Sequence, residues 1–308
     1  MPAAVVDPPE PPADALVERF RHFAADIKLS HTVFALPWAL LATFLAATGQ
    51  PGGLPYFGQI GLILLCMVLA RTFAMAMNRA LDARLDALNP RTARRAIPAG
   101  RLSRAFVLSI AVSCAVGFIA ACAGFWIAYG NRWPLVLGPV VLLMLGAYPL
   151  IKRFSELCHY YLGFCLALAP VCAWVAIRGE IATPPVLMFA AVLFWTAGFD
   201  IIYACQDFES DRATGTFSVP ARVGVGAALW IARITHLLCL AALLALGEVT
   251  PQFGWIYSTA VAIAAALLMI EHGLVRRDDL SKVNLAFFTI NGVISLVIGT
   301  LGIIDVFA

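Results

Sequence analysis

Nine times along its length this chain runs apolar for about 18 or more residues, enough for an α-helix to cross a hydrocarbon core of ~30 Å. The runs fall near 30–48, 59–81, 103–128, 133–150, 157–177, 184–206, 224–246, 253–271 and 284–305. Each is continuously apolar rather than alternating, which excludes a transmembrane β-barrel. Only 13% of the residues are charged, where roughly a quarter is usual for a soluble domain. The expected fold is therefore all-α, a polytopic membrane bundle of nine transmembrane helices. Pro37 and Pro170 fall inside two of the spans and should bend them.

The chain divides into three parts. Residues 1–13 (MPAAVVDPPEPPA) are proline-rich and read as a disordered tail. Residues 14–28 place Leu16, Phe20, Phe23 and Ile27 on one helical face, with Glu18, Arg19, Arg21 and Lys28 elsewhere. That pattern predicts an amphipathic interfacial helix, or one docked on the protein itself. Residues 29–308 form the membrane domain. No basic stretch followed by a cleavable apolar segment opens the chain, so no signal peptide is expected.

Charge asymmetry orients the bundle. Lys and Arg concentrate in the amino-terminal segment and around the loops after spans 2, 4, 6 and 8. The other loops hold only Arg132 and Arg178, and Arg71 and Arg233 fall within spans. The positive-inside rule then puts the amino terminus in the cytoplasm and the carboxyl terminus across the membrane. Basic residues confined to short loops give no support to a nucleic-acid partner, and no protein partner is expected. The eight cysteines include no C-x-x-C pair and read as small buried hydrophobes. Arg233 and His236 read as ordinary bundle residues.

Two spans end in acids. FDIIYACQDFESD carries Asp200, Asp207 and Asp211. On one continuous helix these lie at 0°, about −20° and about +20° around the axis. NRALDARLD carries Asn78, Asp82 and Asp86 in the same four-residue ladder. Asn78-x-x-x-Asp82-x-x-x-Asp86 matches Tyr203-x-x-x-Asp207-x-x-x-Asp211, and each is followed by a Pro-Ala dipeptide. This weak repeat implies a pseudo-symmetry axis along the membrane normal. Both ladders fall on the cytoplasmic side of a topology assigned from Lys and Arg alone.

Carboxylates crowded at a membrane end can raise their pKa values, pair with Arg or Lys, or share a divalent cation. An all-oxygen donor set suits a hard cation, and Mg²⁺ often completes its sphere with phosphate oxygens. Cations nearby point to an anionic ligand. Arg71 lies one to two turns from Asn78 on the same helical face, where it could grip a carboxylate or phosphate, or neutralise an aspartate. Tyr148-Pro-Leu-Ile-Lys152-Arg153 follows span 4, and Arg91, Arg94 and Arg95 follow span 2.

MNRALDARLDALNPRTARRAIPAGRL, YPLIKR, GFDIIYACQDFESD with SVPARVG, and the opening KLSHTVFALPWALLA together resemble the UbiA-type aromatic prenyltransferases. The likeness is greatest to 4-hydroxybenzoate polyprenyltransferase-like members and runs from Lys28 to the end. It implies a nine-helix bundle whose central cavity opens sideways into the bilayer and to the cytoplasmic side. Asn78, Asp82, Asp86, Asp207 and Asp211 would hold Mg²⁺ against an isoprenoid diphosphate. Many relatives carry Asn-Asp where this chain has Asn78-Arg79.

The reaction implied is Mg²⁺-dependent transfer of a polyprenyl group from polyprenyl diphosphate to an aromatic acid, 4-hydroxybenzoate before a naphthoate-type acid. It would take place at the inner membrane of a bacterium, in ubiquinone or menaquinone biosynthesis. Asp200 is the expected residue for orienting or deprotonating the phenol, and Arg71 for binding the acceptor carboxylate or the diphosphate. Tyr148, Lys152, Arg153 and Tyr203 complete the expected substrate contacts. The rival from another class is an ion or solute transporter, which suits acids at the midplane better than acids gathered at one interface.

Overall fold

Proline opens several of the apolar helices, because its fixed φ suits the first turn and its missing N–H is not needed there. The computed structural model describes residues 13–27 and 34–308. Residues 1–12 of the expected tail and residues 28–33, with the start of the first span, lie outside them, and Ala13 belongs to α1. The elements are α1 (Ala13–Ile27), α2 (Leu36–Ala47), α3 (Phe57–Leu88), α4 (Arg104–Tyr129), α5 (Trp133–Ile151), α6 (Cys158–Arg178) and α7 (Thr183–Ala204). After a 3₁₀ turn (Cys205–Asp207) follow α8 (Phe208–Thr214), α9 (Val219–Val223), α10 (Val225–Val249) and α11 (Trp255–Leu274). The chain closes with α12 (Val283–Leu285), a π-turn (Ala286–Ile290) and α13 (Asn291–Val306).

Among the described residues, eight helices rather than nine are long and apolar enough to cross a membrane. The exception is α2, whose 12 residues reach about 18 Å at 1.5 Å each. Pro37 stands in its first turn, so it starts the helix instead of bending it. Pro170 does lie inside α6, and Pro139 and Pro149 lie inside α5.

Short as it is, α2 is the most enclosed element. Trp38, Ala39, Leu41 and Ala42 are fully buried, packed against α6 and α13. Trp38 meets Trp195 of α7 at 5.8 Å between ring centroids. Large apolar side chains also cover the outside, among them Val116, Ile127, Leu143, Leu237 and Met269, as a lipid-facing surface requires. The cysteines are all free, and most are buried.

Helices α6 and α7 touch backbone to backbone at Gly163. A Cβ there would run into the carbonyl oxygen of Leu193 and lie 3.3 Å from the nitrogen of Ala197. Gly163→Ala should destabilise the protein by about 1–3 kcal/mol, the usual cost of overpacking. A detergent-solubilised variant with an unchanged thermal midpoint would contradict that close approach.

A buried polar chain ties α7, α11 and α13. The Trp195 indole N–H donates to Asn291 Oδ1 at 2.7 Å, and Asn291 Nδ2 donates to Glu271 Oε1 at 2.9 Å and to the Ala286 carbonyl at 3.1 Å. The last bond satisfies a carbonyl at the start of the π-turn, where the usual helical pairing is shifted. That turn carries Phe287 to 4.2 Å from the ring of Tyr203. At the amino-terminal end, α1 buries Phe23 and Ile27 beside Ala76 and Ala80 of α3, and leaves Leu16, Val17 and Phe20 exposed.

Candidate active site

One cavity of about 240 Å³ lies where α3, α5 and α7 end. Its walls bring together Asn78 and Asp86 of the first ladder and Asp207 and Asp211 of the second. The ladders therefore share one end of the bundle, and Asn89 Nδ2, just past α3, donates to Asp207 Oδ1 at 2.9 Å.

The first ladder sits on an unbroken helix, as its spacing predicts. Asn78 Nδ2 donates to Asp82 Oδ2 at 2.7 Å, and Asn78 Oδ1 accepts from Arg79 Nη1 at 2.6 Å. Asp82 is wholly buried and lies behind the wall rather than on it. Lys152 Nζ reaches Asp82 Oδ2 at 2.7 Å. Asp86 receives both of its contacts from Arg95 Nη1, at 2.7 and 2.8 Å.

The second ladder departs from the single helical face expected of it. After Ala204 the chain tightens into the 3₁₀ turn, and Asp207 itself adopts φ −98°, ψ 6° before α8 begins. Asp211 thus belongs to a separate short helix, although it still lines the cavity. Arg91 clamps Asp207 through Nε at 2.8 Å and Nη2 at 2.6 Å, while its Nη1 donates to the Tyr203 hydroxyl at 3.0 Å. Burial pulls the Arg91 pKa down, but the Asp207 contacts outweigh it and hold it above the ordinary value. Asp211 Oδ2 accepts from Ser218 Oγ at 2.8 Å.

Asp200 meets a residue that sequence reasoning missed. His159 of α6, buried, brings Nδ1 to 2.7 Å from Asp200 Oδ2. Its Nε2 accepts from the Val219 backbone N–H at 3.2 Å. A ring nitrogen that accepts from an amide carries no proton, so the proton of a neutral ring sits on Nδ1 and points at Asp200. The two partners are 41 residues apart, and no local pattern joins them.

The remaining expectations divide. Tyr148, Lys152 and Tyr203 line the cavity. Arg153 does not; its Nη2 donates to the Leu81 carbonyl at 2.7 Å and lies 3.6 Å from Asp82 Oδ1. Arg71 and Arg94 also lie off the cavity wall. Arg91 and Arg95, given no substrate contact in the sequence reading, join Lys152 as cations of the cavity wall.

Against known proteins, the model of the UbiA prenyltransferase family matches residues 35–293. The chain belongs to this family. The mitochondrial 4-hydroxybenzoate polyprenyltransferase of Arabidopsis thaliana is 29% identical over 82% of this UbiA-family chain. The match covers 61% of that relative's length, so the chain spans about three fifths of it. The 4-hydroxybenzoate octaprenyltransferase of Cupriavidus necator is 29% identical over 88% of this chain and 93% of its own length. Among solved structures, the apo UbiA homologue of Aeropyrum pernix K1 superposes with a TM-score of 0.79 at 29% identity, covering 90% of this chain and 98% of the other. The Archaeoglobus fulgidus UbiA homologue bound to GPP and Mg²⁺ has a TM-score of 0.72 at 17% identity, with 93% and 100% covered, and shares the fold. The eight apolar helices and the family together make this an integral, multi-pass membrane protein.

The donor set of this UbiA-family site fits a hard cation in kind, since carboxylates from both ladders converge on one cavity. In its present arrangement each carboxylate is engaged elsewhere. Arg95 holds Asp86, Arg91 holds Asp207, and Lys152 holds Asp82. Among the described residues no three acidic, His or Cys side chains are gathered closely enough to hold a metal. Arginine and lysine thus neutralise the ladders in this arrangement.

Proposed function

We propose that this UbiA-family protein transfers a polyprenyl group from polyprenyl diphosphate to an aromatic acid, with 4-hydroxybenzoate as the acid, for quinone biosynthesis. The observation that carries the reading is the pairing of cations with the acids of both ladders at one cavity. Arg91, Arg95 and Lys152 are already seated on acids there, and each suits a phosphate oxygen as well as a carboxylate. A diphosphate entering the cavity would draw these cations to itself and release Asp86 and Asp207. The freed carboxylates, with Asp211 beside them and Asp82 behind, would then hold Mg²⁺.

Bound there, Mg²⁺ would offset the negative charge that builds on the departing diphosphate. Arg91, Arg95 and Lys152 would do the same from the protein side. The allylic C–O bond breaks, and apolar groups such as Leu162 and Phe217 on the wall keep water from the electron-poor carbon. A ring carbon beside the phenol hydroxyl forms the new C–C bond and passes its proton to the released diphosphate. Asp200, held by His159, orients the phenol. Arg71, farther along α3, is assigned to the acceptor carboxylate, because the diphosphate falls to the cations on the wall. The acid end faces the cytoplasm, and the exposed apolar side of α1 lies along the membrane surface.

Purified protein in detergent should join labelled polyprenyl diphosphate to one member of a panel of aromatic acids, and EDTA should abolish the product. Product with a naphthoate-type acid alone would move the acceptor assignment. Ion or solute flux in proteoliposomes with no product under any condition would replace the enzyme reading with a transporter.

A further inference from the structure

Arg79 follows Asn78 at the head of the first ladder. Arg79 is buried, with 9% of its side chain exposed. It reaches in two directions. Its Nε lies 3.2 Å from Asp26 Oδ2, and its Nη2 donates to the Asp26 carbonyl at 3.1 Å. Its Nη1 donates to Asn78 Oδ1 at 2.6 Å. Asn78 then presents Nδ2 to Asp82, which also takes Lys152. The amide orientation of Asn78 has no freedom here, because the guanidinium must meet its oxygen and the carboxylate must meet its nitrogen.

We infer that α1 is a working part of the site: the Asp26–Arg79 pair acts as a positioning relay that sets the Asn78 amide and, through it, the Asp82 carboxylate. The inference rests on the proposed holding of Mg²⁺ and diphosphate at this cavity. The apolar docking of Phe23 and Ile27 brings Asp26 to Arg79. The ion pair then makes the first ladder depend on a helix 53 residues away in sequence. Removing one partner of a buried pair leaves an uncompensated charge, and releasing Asp26 would let Arg79 withdraw from Asn78 or pull on Asp82.

The test uses full-length protein in nanodiscs, Mn²⁺ as the probe and inorganic diphosphate as the anion, with Mn²⁺ binding followed by electron paramagnetic resonance and thermal unfolding recorded alongside. Asp26→Asn should weaken Mn²⁺ binding about tenfold, the usual effect of losing an outer-shell partner. The double variant Asp26→Asn with Arg79→Gln should be no weaker than Arg79→Gln alone, since both act through one link. Arg79→Lys, which keeps the charge but loses the fork that reaches Asp26 and Asn78 together, decides the matter even where Asp26→Asn unfolds: it should weaken Mn²⁺ binding as Asp26→Asn does. Wild-type affinity in Asp26→Asn or in Arg79→Lys overturns the relay and leaves the metal reading intact. Wild-type protein that binds neither Mn²⁺ nor diphosphate overturns both.

Discussion

Asp207→Asn should lower turnover by about 10²–10³-fold, the scale expected when roughly 3–4 kcal/mol of charge stabilisation leaves a transition state. Asn is nearly isosteric, so the shape of the wall survives. It lacks the negative charge, and its Nδ2 would face a donor of Arg91 in place of the oxygen now 2.6 Å away. The bundle should remain folded, because Asp207 sits at the end of α7 beyond the apolar core and its clamp joins a loop to a helix end. The measurement is product formation from labelled polyprenyl diphosphate, with the thermal midpoint recorded in the same sample. Asp86→Asn, which releases Arg95 in the same way, should behave alike. Wild-type turnover in both variants would eliminate the metal assignment. A collapse of thermal stability with the loss of turnover would instead make the acids structural.

His159→Ala should reduce kcat by about 10²-fold, the penalty of about 1 Å of misplacement at a reacting group. The ring carries two directed bonds, one to Asp200 and one from the Val219 N–H. Truncation leaves a partly buried carboxylate and a buried amide without partners, each costing about 1–3 kcal/mol. Diphosphate binding should be little changed, since Arg91, Arg95 and Lys152 are untouched. The split between kcat and donor affinity separates a positioning role from general damage. His159→Asn can restore the donor to Asp200 but not the acceptor for Val219, so part of kcat should return. An unchanged kcat in His159→Ala would remove Asp200 from the orienting role assigned to it.

The fold class was legible because continuous apolar runs leave a chain only one way to satisfy its backbone in lipid. The error in counting helices came from α2, whose apolar run is long but whose helix starts at Leu36 with Pro37 in its first turn. Composition carries no record of where a helix begins. The ladders were legible because residues four apart share a helical face, and for Asn78, Asp82 and Asp86 that sufficed. The second ladder kept the same spacing across a 3₁₀ turn. Nothing in CQD announces that turn, since a 3₁₀ turn at a helix end differs from the helix only in bonding three residues along instead of four.

By itself the sequence determined that this is a membrane-embedded helical protein with two acidic ladders at one end of its bundle and basic loops beside them. Periodicity and charge are local properties, readable from neighbours in the chain. Only the tertiary structure decided which partner meets which acid: Arg91 with Asp207, Arg95 with Asp86, Lys152 with Asp82, the His159 ring with Asp200 and Arg79 with Asp26. Most of these pairs join residues far apart in sequence, and each depends on ångström-scale placement by loop closure and helix packing. Charge attracts without specifying a partner, and it is packing that makes the choice.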